Sequence, residues 1–326
     1  MKDATVILAS FSPVDAELPK KHFRSTLDFV LNDNVEVCTA QVVSEGQEPL
    51  DTTGASTSLV FESNDKIFFK ECLWNLAAAH ATTDNFIFID ADLHYHDADW
   101  LAQITNALSE YDIIQPFDLC NWEFRDGLVN PTMQKSAWFN VFRTGSVPLT
   151  STYHPGFGFA MTRSHFDAIN GFYEHGVMGE GDHMCCVAHT PEKQVHYILQ
   201  LSKDAVSNPN CPLSPDHRSH WTNLANHFLS PDFIEYRANI QSLDFKAGVP
   251  AGLAVYHRWH GELNKRQYTT RLKYLNWPEN GRPAFKRSDG LLEWTTPQPE
   301  VDNWWLTRDD DGVNPDVITA NKYAPK

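Results

Sequence analysis

Two aspartates one residue apart, Asp90 and Asp92, directly follow the short apolar run 86–89. Such a run predicts a buried strand, and open α/β sheets bind ligands at the carboxyl ends of their strands. Carboxylates at i and i+2 leave that strand as the backbone turns, so both can converge on one hard divalent cation that also holds a diphosphate. Any such pair can instead lie in a turn or at a solvated rim, so this pair alone does not distinguish a metal site from these alternatives.

Two further groups of residues have the types that such chemistry needs. The acidic segment 179–182 contains Glu180 and Asp182 and precedes a predicted helix over residues 182–190. A carboxylate there can take the proton of an attacking hydroxyl, although Asp182 would also suit the N-cap of that helix. His257 and His260 follow the last predicted strand, 251–257, where an imidazole can complete a metal shell begun by an aspartate. A structural or solvated role is the alternative, since the chain has 15 histidines.

Apolar periodicity predicts the elements that position these residues. Strands alternate with helices as far as residue 116, which indicates an α/β fold with a doubly wound, mostly parallel sheet. The predicted strands are 5–10, 35–43, 59–61, 86–89, 111–116, 157–161, 195–201 and 251–257. The predicted helices are 20–31, 66–81, 99–109, 163–169 and 182–190. Residues 117–155 are irregular and aromatic, and 203–235 are rich in Pro, Ser, Asn and His, which is typical of a long loop.

Composition excludes several classes of protein. The chain has 326 residues, of which 42% are hydrophobic, enough for an ample core. Its formal net charge of −16 disfavours a broad footprint on nucleic acid or anionic lipid. We expect a soluble, cytoplasmic protein without membrane contact, because no apolar run reaches about 18 residues and the start lacks a signal-peptide pattern. Six scattered cysteines without a C-x-x-C pair predict reduced thiols, not a zinc site or disulfides.

Three separated parts of the chain form a combined pattern. They are residues 66–92 with the Asp-x-Asp strand, residues 156–182 with an Asn-Gly-Phe turn and the acidic segment, and residues 257–261. In this order they resemble the GT-A-fold glycosyltransferases, particularly the inverting family-2-like and galactosyltransferase-like groups. The resemblance covers residues 4–261. It departs from the family where an adjacent Glu-Asp pair is expected and Glu180-Gly181-Asp182 stands instead.

The resemblance implies a GT-A (Rossmann-like) fold and a metal-dependent, inverting transfer of a sugar from a nucleoside diphosphate to a hydroxyl acceptor. It implies that Asp90 and Asp92 hold Mn²⁺ or Mg²⁺ with the donor diphosphate, and that Asp92 is the more direct ligand. His257, ahead of His260, would complete the metal shell. Asp182, ahead of Glu180, would be the general base.

The same resemblance suggests which residues bind the two substrates. Residues 9–11 lie where the family usually contacts the nucleoside, but the Pro-x-Arg-type signature that is usual there is absent. Arginines downstream of 261 are suited to the diphosphate, since a guanidinium can clamp it with two hydrogen bonds. The candidate donor-binding residues are Ala9, Ser10, Phe11, Lys70, Asn75, Ala91, Arg266 and Arg271. The candidate acceptor-binding residues, with tryptophans as sugar-stacking platforms and core packing as their alternative, are Trp122, Trp138, Gly158 and Trp259.

We therefore expect a GT-A glycosyltransferase domain over residues 1–261, with a nucleotide-sugar half at 1–116 and an acceptor half at 117–261. A C-terminal extension, 262–326, is expected to wrap this core. The expected donor is a UDP-sugar. The sequence does not select the acceptor, which can be a glycan, a protein, a small molecule or a modified DNA base. Two alternatives also stay open. One is a nucleotidyltransferase, although residues 9–13 lack the glycine-rich loop it would need; the other is a non-catalytic sugar- or nucleotide-binding scaffold on the same fold.

Overall fold

The computed structural model describes residues 2–136, 138, 153–191, 223–224, 227–262, 265–267, 270–276 and 282–311. In these residues the strands are β1 (Thr5–Phe11), β2 (Glu36–Val43), β3 (Thr57–Glu62), β4 (Asn85–Ile89), β5 (Leu93–Tyr95), β6 (Ile113–Ile114), β7 (Leu119–Trp122), β8 (Gln134–Ser136), β9 (Tyr153–His154), β10 (Gly158–Thr162), β11 (Ala247–Gly248), β12 (Ala254–His257), β13 (Ala284–Lys286) and β14 (Leu292–Trp294). The helices are α1 (Glu17–Leu31), α2 (Lys70–Ala78), α3 (Trp100–Leu108), α4 (Arg163–Ala168), α5 (Gly181–His189), α6 (Pro231–Gln241) and α7 (Pro299–Leu306).

The larger sheet has seven strands among the described residues, in the order β11-β6-β10-β4-β1-β2-β3. Neighbouring strands are parallel except at β10, which runs antiparallel to both β4 and β6. The mostly parallel α/β sheet predicted from the sequence is therefore confirmed. Because β1 and β4 are adjacent and parallel, the residues that follow them lie at the same edge of the sheet.

Both faces of this sheet are buried, as a doubly wound fold requires. Along β4, Phe86 and Phe88 belong to one hydrophobic core and Ile87 and Ile89 to the other, because successive side chains point to opposite faces. Residues of α2, α4, α5, α6 and α7 pack into the first core, and residues of α1 and α3 into the second.

A second sheet carries part of the site and was not predicted. Its five described strands have the order β5-β12-β7-β8-β9. Strand β12 lies between β5 and β7, so the segment after Asp92 and the end of the last predicted strand become neighbours. Strands of two to four residues have too few alternations to be recognised in the sequence.

Several predicted bounds change for physical reasons. Helix α2 begins at Lys70, not at residue 66, because the Phe68 N–H donates to Val177 O (2.9 Å) instead of entering the helix. The loop predicted for 203–235 is wrong at its end, where α6 begins at Pro231; proline is well suited to the first turn of a helix. The rest of that loop up to residue 222, and the strand predicted at 195–201, lie outside the described residues.

The predicted extension contributes to the first core. In α7, Trp304 and Trp305 are buried, and Trp305 Nε1 donates to Lys66 O (2.7 Å) ahead of α2. The five described cysteines are free and buried. Among the described helices, none is long and apolar enough to cross a membrane.

Candidate active site

Lys70 joins two of the predicted acidic residues. It begins α2, and its Nζ lies 2.7 Å from Asp182 Oδ1 and 3.1 Å from Asp90 Oδ1, with Glu71 Oε1 at 3.8 Å. Asp90 directly follows β4, and Asp182 is in the first turn of α5. One buried ammonium thus holds carboxylates from two separate elements at the carboxyl edge of the sheet.

Burial decides the protonation of this group, which we call the Lys70 cluster (Lys70, Glu71, Asp90 and Asp182). Burial would lower the pKa of Lys70, but the carboxylates of Asp182, Asp90 and Glu71 raise it well above its ordinary value. Burial raises the pKa of Asp90 to about 7 and that of Glu71 to about 8, against the opposing effect of Lys70. One cation therefore faces three carboxylates, of which Glu71 is buried and Asp90 and Asp182 are half-buried, and the cluster is ready to take up protons or a further cation.

Asp182 also faces the chain just before β10. A Cβ added to Gly156 would lie 2.4 Å from Asp182 Oδ2, so only glycine leaves room for this carboxylate. Glu180, the other candidate base, is fully buried, and its Oε1 lies 2.8 Å from His227 Nδ1. Burial would raise the pKa of Glu180, but His227 lowers it below its ordinary value. Of the two acids, Asp182 is thus the one that is partly open to solvent.

Asp92 lies between the two predicted histidines. Its Oδ2 is 2.9 Å from His260 Nε2 and 3.2 Å from His257 Nε2. His257 ends β12, and the Arg258 N–H donates to Asp92 O (2.9 Å), which fixes the turn after β4 against that strand. Burial would raise the pKa of Asp92, but His257 and His260 hold it well below its ordinary value. We call these three residues the Asp92 cluster.

The Asp92 cluster fits a divalent cation. One ligand atom from each of Asp92, His257 and His260 lies within 4.8 Å of the others, as binding to one ion requires. The second carboxylate oxygen, Asp92 Oδ1, is buried without a hydrogen-bond partner among the described residues. Burial lowers the pKa of His260 to about 3, so its ring is neutral and keeps a lone pair for a metal.

An aromatic wall joins the two clusters. The Trp122 ring lies 4.3 Å from the His257 ring, and Phe157 lies 5.1 Å from His257 and 3.9 Å from His154. The His154 Nδ1 accepts from the Gly156 N–H (3.1 Å), which leads back to Asp182. The wall brings both clusters to the same edge of the fold.

The other predicted donor residues surround this edge. Ala9, Ser10 and Phe11 end β1, beside β4, and the Phe11 ring packs at 4.8 Å on Phe68. Ala91 is half-buried between the two aspartates. The charge of Arg266 contributes to lowering the His260 pKa, and Arg266 Nε lies 3.8 Å from Asp310 Oδ1. Arg271 donates to Gly179 O (2.7 Å) beside Glu180.

Three predicted binding residues have other roles in the structure. The Asn75 amide donates to Phe172 O (2.9 Å) and accepts from the Phe172 N–H (2.8 Å), so it braces the Asn-Gly-Phe turn. Trp138 is fully buried in the first core, which the aromatic composition of its segment did not reveal. A Cβ at Gly158 would lie 2.3 Å from Phe88 O, so this glycine permits the close packing of β10 on β4. Trp259 is half-buried, with Arg125 5.4 Å from its ring centre.

Sequence reasoning missed His154 and Glu71. The His-Pro-Gly segment before β10 was a signal for His154, because residues 156–163 were already part of the recognised pattern. Glu71 had no such signal: it lies on α2 among apolar residues, and only the packing of Gly181 against its carboxyl group places it behind Asp182.

No protein-family model and no curated protein matches the chain. Among solved structures, S. aureus TarS 1-349 matches at 15% identity and a TM-score of 0.35, over 75% of each chain. Its complex with UDP-GlcNAc matches at 13% identity and a TM-score of 0.36, over 73% of this chain and 74% of that one. The mannosyltransferase PcManGT from Pyrobaculum calidifontis, in complex with GDP-Man and Mn²⁺, matches at 16% identity and a TM-score of 0.36, over 73% of each chain.

Proposed function

We propose that this protein is a metal-dependent glycosyltransferase that moves a sugar from a nucleoside diphosphate, a UDP-sugar in the first instance, to a hydroxyl acceptor with inversion. The supporting observation is that a cluster suited to a cation and a carboxylate suited to accept a proton are joined by one aromatic wall. In this proposal residues 1–116 bind the nucleotide sugar, residues 117–261 bind the acceptor, and 262–326 form an extension.

Asp92, His257 and His260 would hold the cation. When bound, it would supply a positive charge that stabilises the departing nucleoside diphosphate. Two imidazoles favour Mn²⁺ over Mg²⁺, because Mg²⁺ is bound mainly by oxygen ligands and water. The neutral ring of His260, whose pKa burial lowers to about 3, supports this assignment, since neutral imidazole is the ligating form.

Asp182 would accept the proton of the acceptor hydroxyl. Its Oδ1 is bound by Lys70, while its Oδ2 lies against Gly156, so the carboxylate is held on both sides, and the side chain is only partly buried. A carboxylate oriented in this way can take a proton as the acceptor oxygen attacks the anomeric carbon. Glu180 is the weaker candidate because His227 occupies its carboxylate inside the core.

The direct test is a donor-hydrolysis and transfer screen with UDP-, GDP- and CMP-sugars, with and without Mn²⁺. We expect Mn²⁺-dependent turnover of one donor, lost in Asp92→Asn. Asp182→Asn should keep the donor affinity but slow transfer by about two or more orders of magnitude. Asp244→Asn, a change of an exposed carboxylate, is the matched control and should behave as the unaltered protein.

Four results would contradict the proposal. Turnover that persists without metal would remove the role of the Asp92 cluster. Full activity in Asp182→Asn would place the base elsewhere. A protein that binds a nucleotide sugar and never turns it over would be a scaffold, and one that transfers the nucleotidyl group would be a nucleotidyltransferase.

A further inference from the structure

A second group of metal-binding side chains lies outside the site described above. His94 is the middle residue of β5, His96 follows that strand, and Glu123 follows β7. His94 Nε2 lies 3.0 Å from His96 Nε2 and 3.2 Å from Glu123 Oε1. One ligand atom from each lies within 4.8 Å of the others. Three potential ligands from two strands therefore converge on one point.

Strand register separates this group from the Asp92 cluster. On β12, His257 pairs with Leu93 and Trp122, whereas Tyr256 pairs with His94 and Asn121. Side chains alternate between the two faces of a sheet, so His94 and His96 share a face with Tyr256. The contacts agree: the Tyr256 ring stacks on His96 at 3.9 Å and on His94 at 5.7 Å. His257 and its Asp92 partner lie on the opposite face.

The three side chains are held in place before any ligand arrives. The Tyr256 ring lies nearly parallel to both imidazoles, with interplanar angles of 16° and 17°, which limits their rotation. The neighbouring Arg258 donates to Thr26 Oγ1 and to Leu93 O, each at 2.7 Å, so its guanidinium does not occupy the Glu123 carboxylate. Among the described residues, Glu123 has no lysine or arginine ion-pair partner.

Hydrogen bonding alone satisfies this group poorly. His94 Nε2 faces both His96 Nε2 and Glu123 Oε1, and a neutral imidazole nitrogen carries at most one hydrogen. That single hydrogen cannot point well at both partners. A divalent cation accepts a lone pair from all three atoms, so it resolves the conflict.

We propose that His94, His96 and Glu123 form a second cation site that binds Zn²⁺ or a similar imidazole-preferring transition metal. Two imidazoles and one carboxylate are frequent zinc ligands, and such a set prefers Zn²⁺, Ni²⁺ and Cu²⁺ over Mg²⁺ and Mn²⁺. The bound ion fastens β5 to the segment after β7. It thereby braces β12 between them, on the face away from the Asp92 cluster. This inference does not rest on the proposed transferase activity.

Zn²⁺ titration of the full chain against a chelating indicator tests the site. The two clusters predict two tightly bound ions per chain. His96→Ala, a change of an exposed side chain, should leave one, and His260→Ala should remove the other. Each lost site should bind more than about 100-fold more weakly. His80→Ala, which removes another exposed histidine, should keep both ions.

A second measurement covers the bracing role. In the His260→Ala background, Zn²⁺ should raise the unfolding temperature, and adding His96→Ala or Glu123→Gln should abolish that rise. Mn²⁺ at the same concentration should not displace the bound Zn²⁺. The proposal is overturned if His96→Ala and Glu123→Gln both keep two tight ions, or if the unaltered chain binds a single ion that His260→Ala removes. Either result would leave a hydrogen-bonded histidine pair only.

Discussion

Replacing Lys70 by Met tests whether one buried ammonium holds the acidic cluster together. Lys70 Nζ directly contacts Asp182 and Asp90, at 2.7 and 3.1 Å, and Glu71 is the third carboxylate, at 3.8 Å. Removing one partner of a buried ion pair costs about 3–5 kcal/mol, because the remaining charge stays buried without compensation. We expect Lys70→Met to lower the free energy of unfolding by about this amount at pH 9.

The loss should depend on pH in a definite direction. Burial already raises the pKa of Asp90 to about 7 and that of Glu71 to about 8, and removal of the cation can only raise them further. At pH 5 Asp90 and Glu71 are protonated in the folded variant, so fewer charges are stranded there than at pH 9. The destabilisation measured at pH 5 should therefore be smaller, by about half or more, than at pH 9.

Urea denaturation of the unaltered protein and of Lys70→Met, at both pH values, measures these free energies. Lys21→Met removes an exposed ammonium from α1 and should stay within about 0.5 kcal/mol of the unaltered protein. Adding Asp182→Asn to Lys70→Met should restore part of the stability, since it removes one stranded charge. A loss below about 1 kcal/mol at pH 9, or a loss equal at both pH values, would refute this account of the cluster.

Three further changes probe neighbouring features. Gly156→Ala should lower kcat for transfer by about tenfold or more while thermal unfolding changes little, since its Cβ would displace Asp182 Oδ2 from 2.4 Å away; unchanged kcat would show that this carboxylate has freedom to move. Burial raises the pKa of Glu71 from 4.5 to about 8, so the folded state holds a proton that the unfolded chain releases, and stability should fall as pH rises between these values. Glu71→Gln should flatten this fall in urea titrations across that range, and an unchanged slope would assign it to other groups. Trp138→Ala should cost about 3–5 kcal/mol of unfolding free energy, as expected in a close-packed core, and a loss under about 1 kcal/mol would favour a surface position.

The central sheet could be predicted from the sequence because its strands have a clear apolar pattern. In β1 every side chain is apolar or small, and in β4 the four residues after Asn85 are apolar. Each of these runs is followed by a polar residue, so the location of the strands and their functional ends could be inferred together. Asp90, Asp92 and Asp182 were recognised for the same reason, since each follows or begins an element with a clear pattern. The pairing of Asp92 with His257 and His260 could be predicted only from the resemblance to a known family.

What could not be predicted depends on contacts between segments distant in sequence. Lys70 was expected to face a donor, but that its ammonium joins Asp90 to Asp182 follows from the docking of α5 against α2, to which no local pattern points. The five-stranded sheet was not predicted, because β5 and β9 have only three and two residues and so show no recognisable alternation. Trp138 reads in the sequence like any tryptophan of an irregular segment, and only its burial against Phe159 shows it as core.

The reversed direction of β10 determines which part of the chain is sensitive to insertions. Every parallel strand delivers its last residues to the reactive edge, whereas β10 delivers the residues that come before it, His154 to Phe157. At its far end, the Arg163 side chain is fastened to Thr83 O, at the opposite rim of the sheet. One residue added ahead of Gly158 would thus shift groups beside Asp182, while the same addition after Thr162 would be absorbed far from any reacting atom.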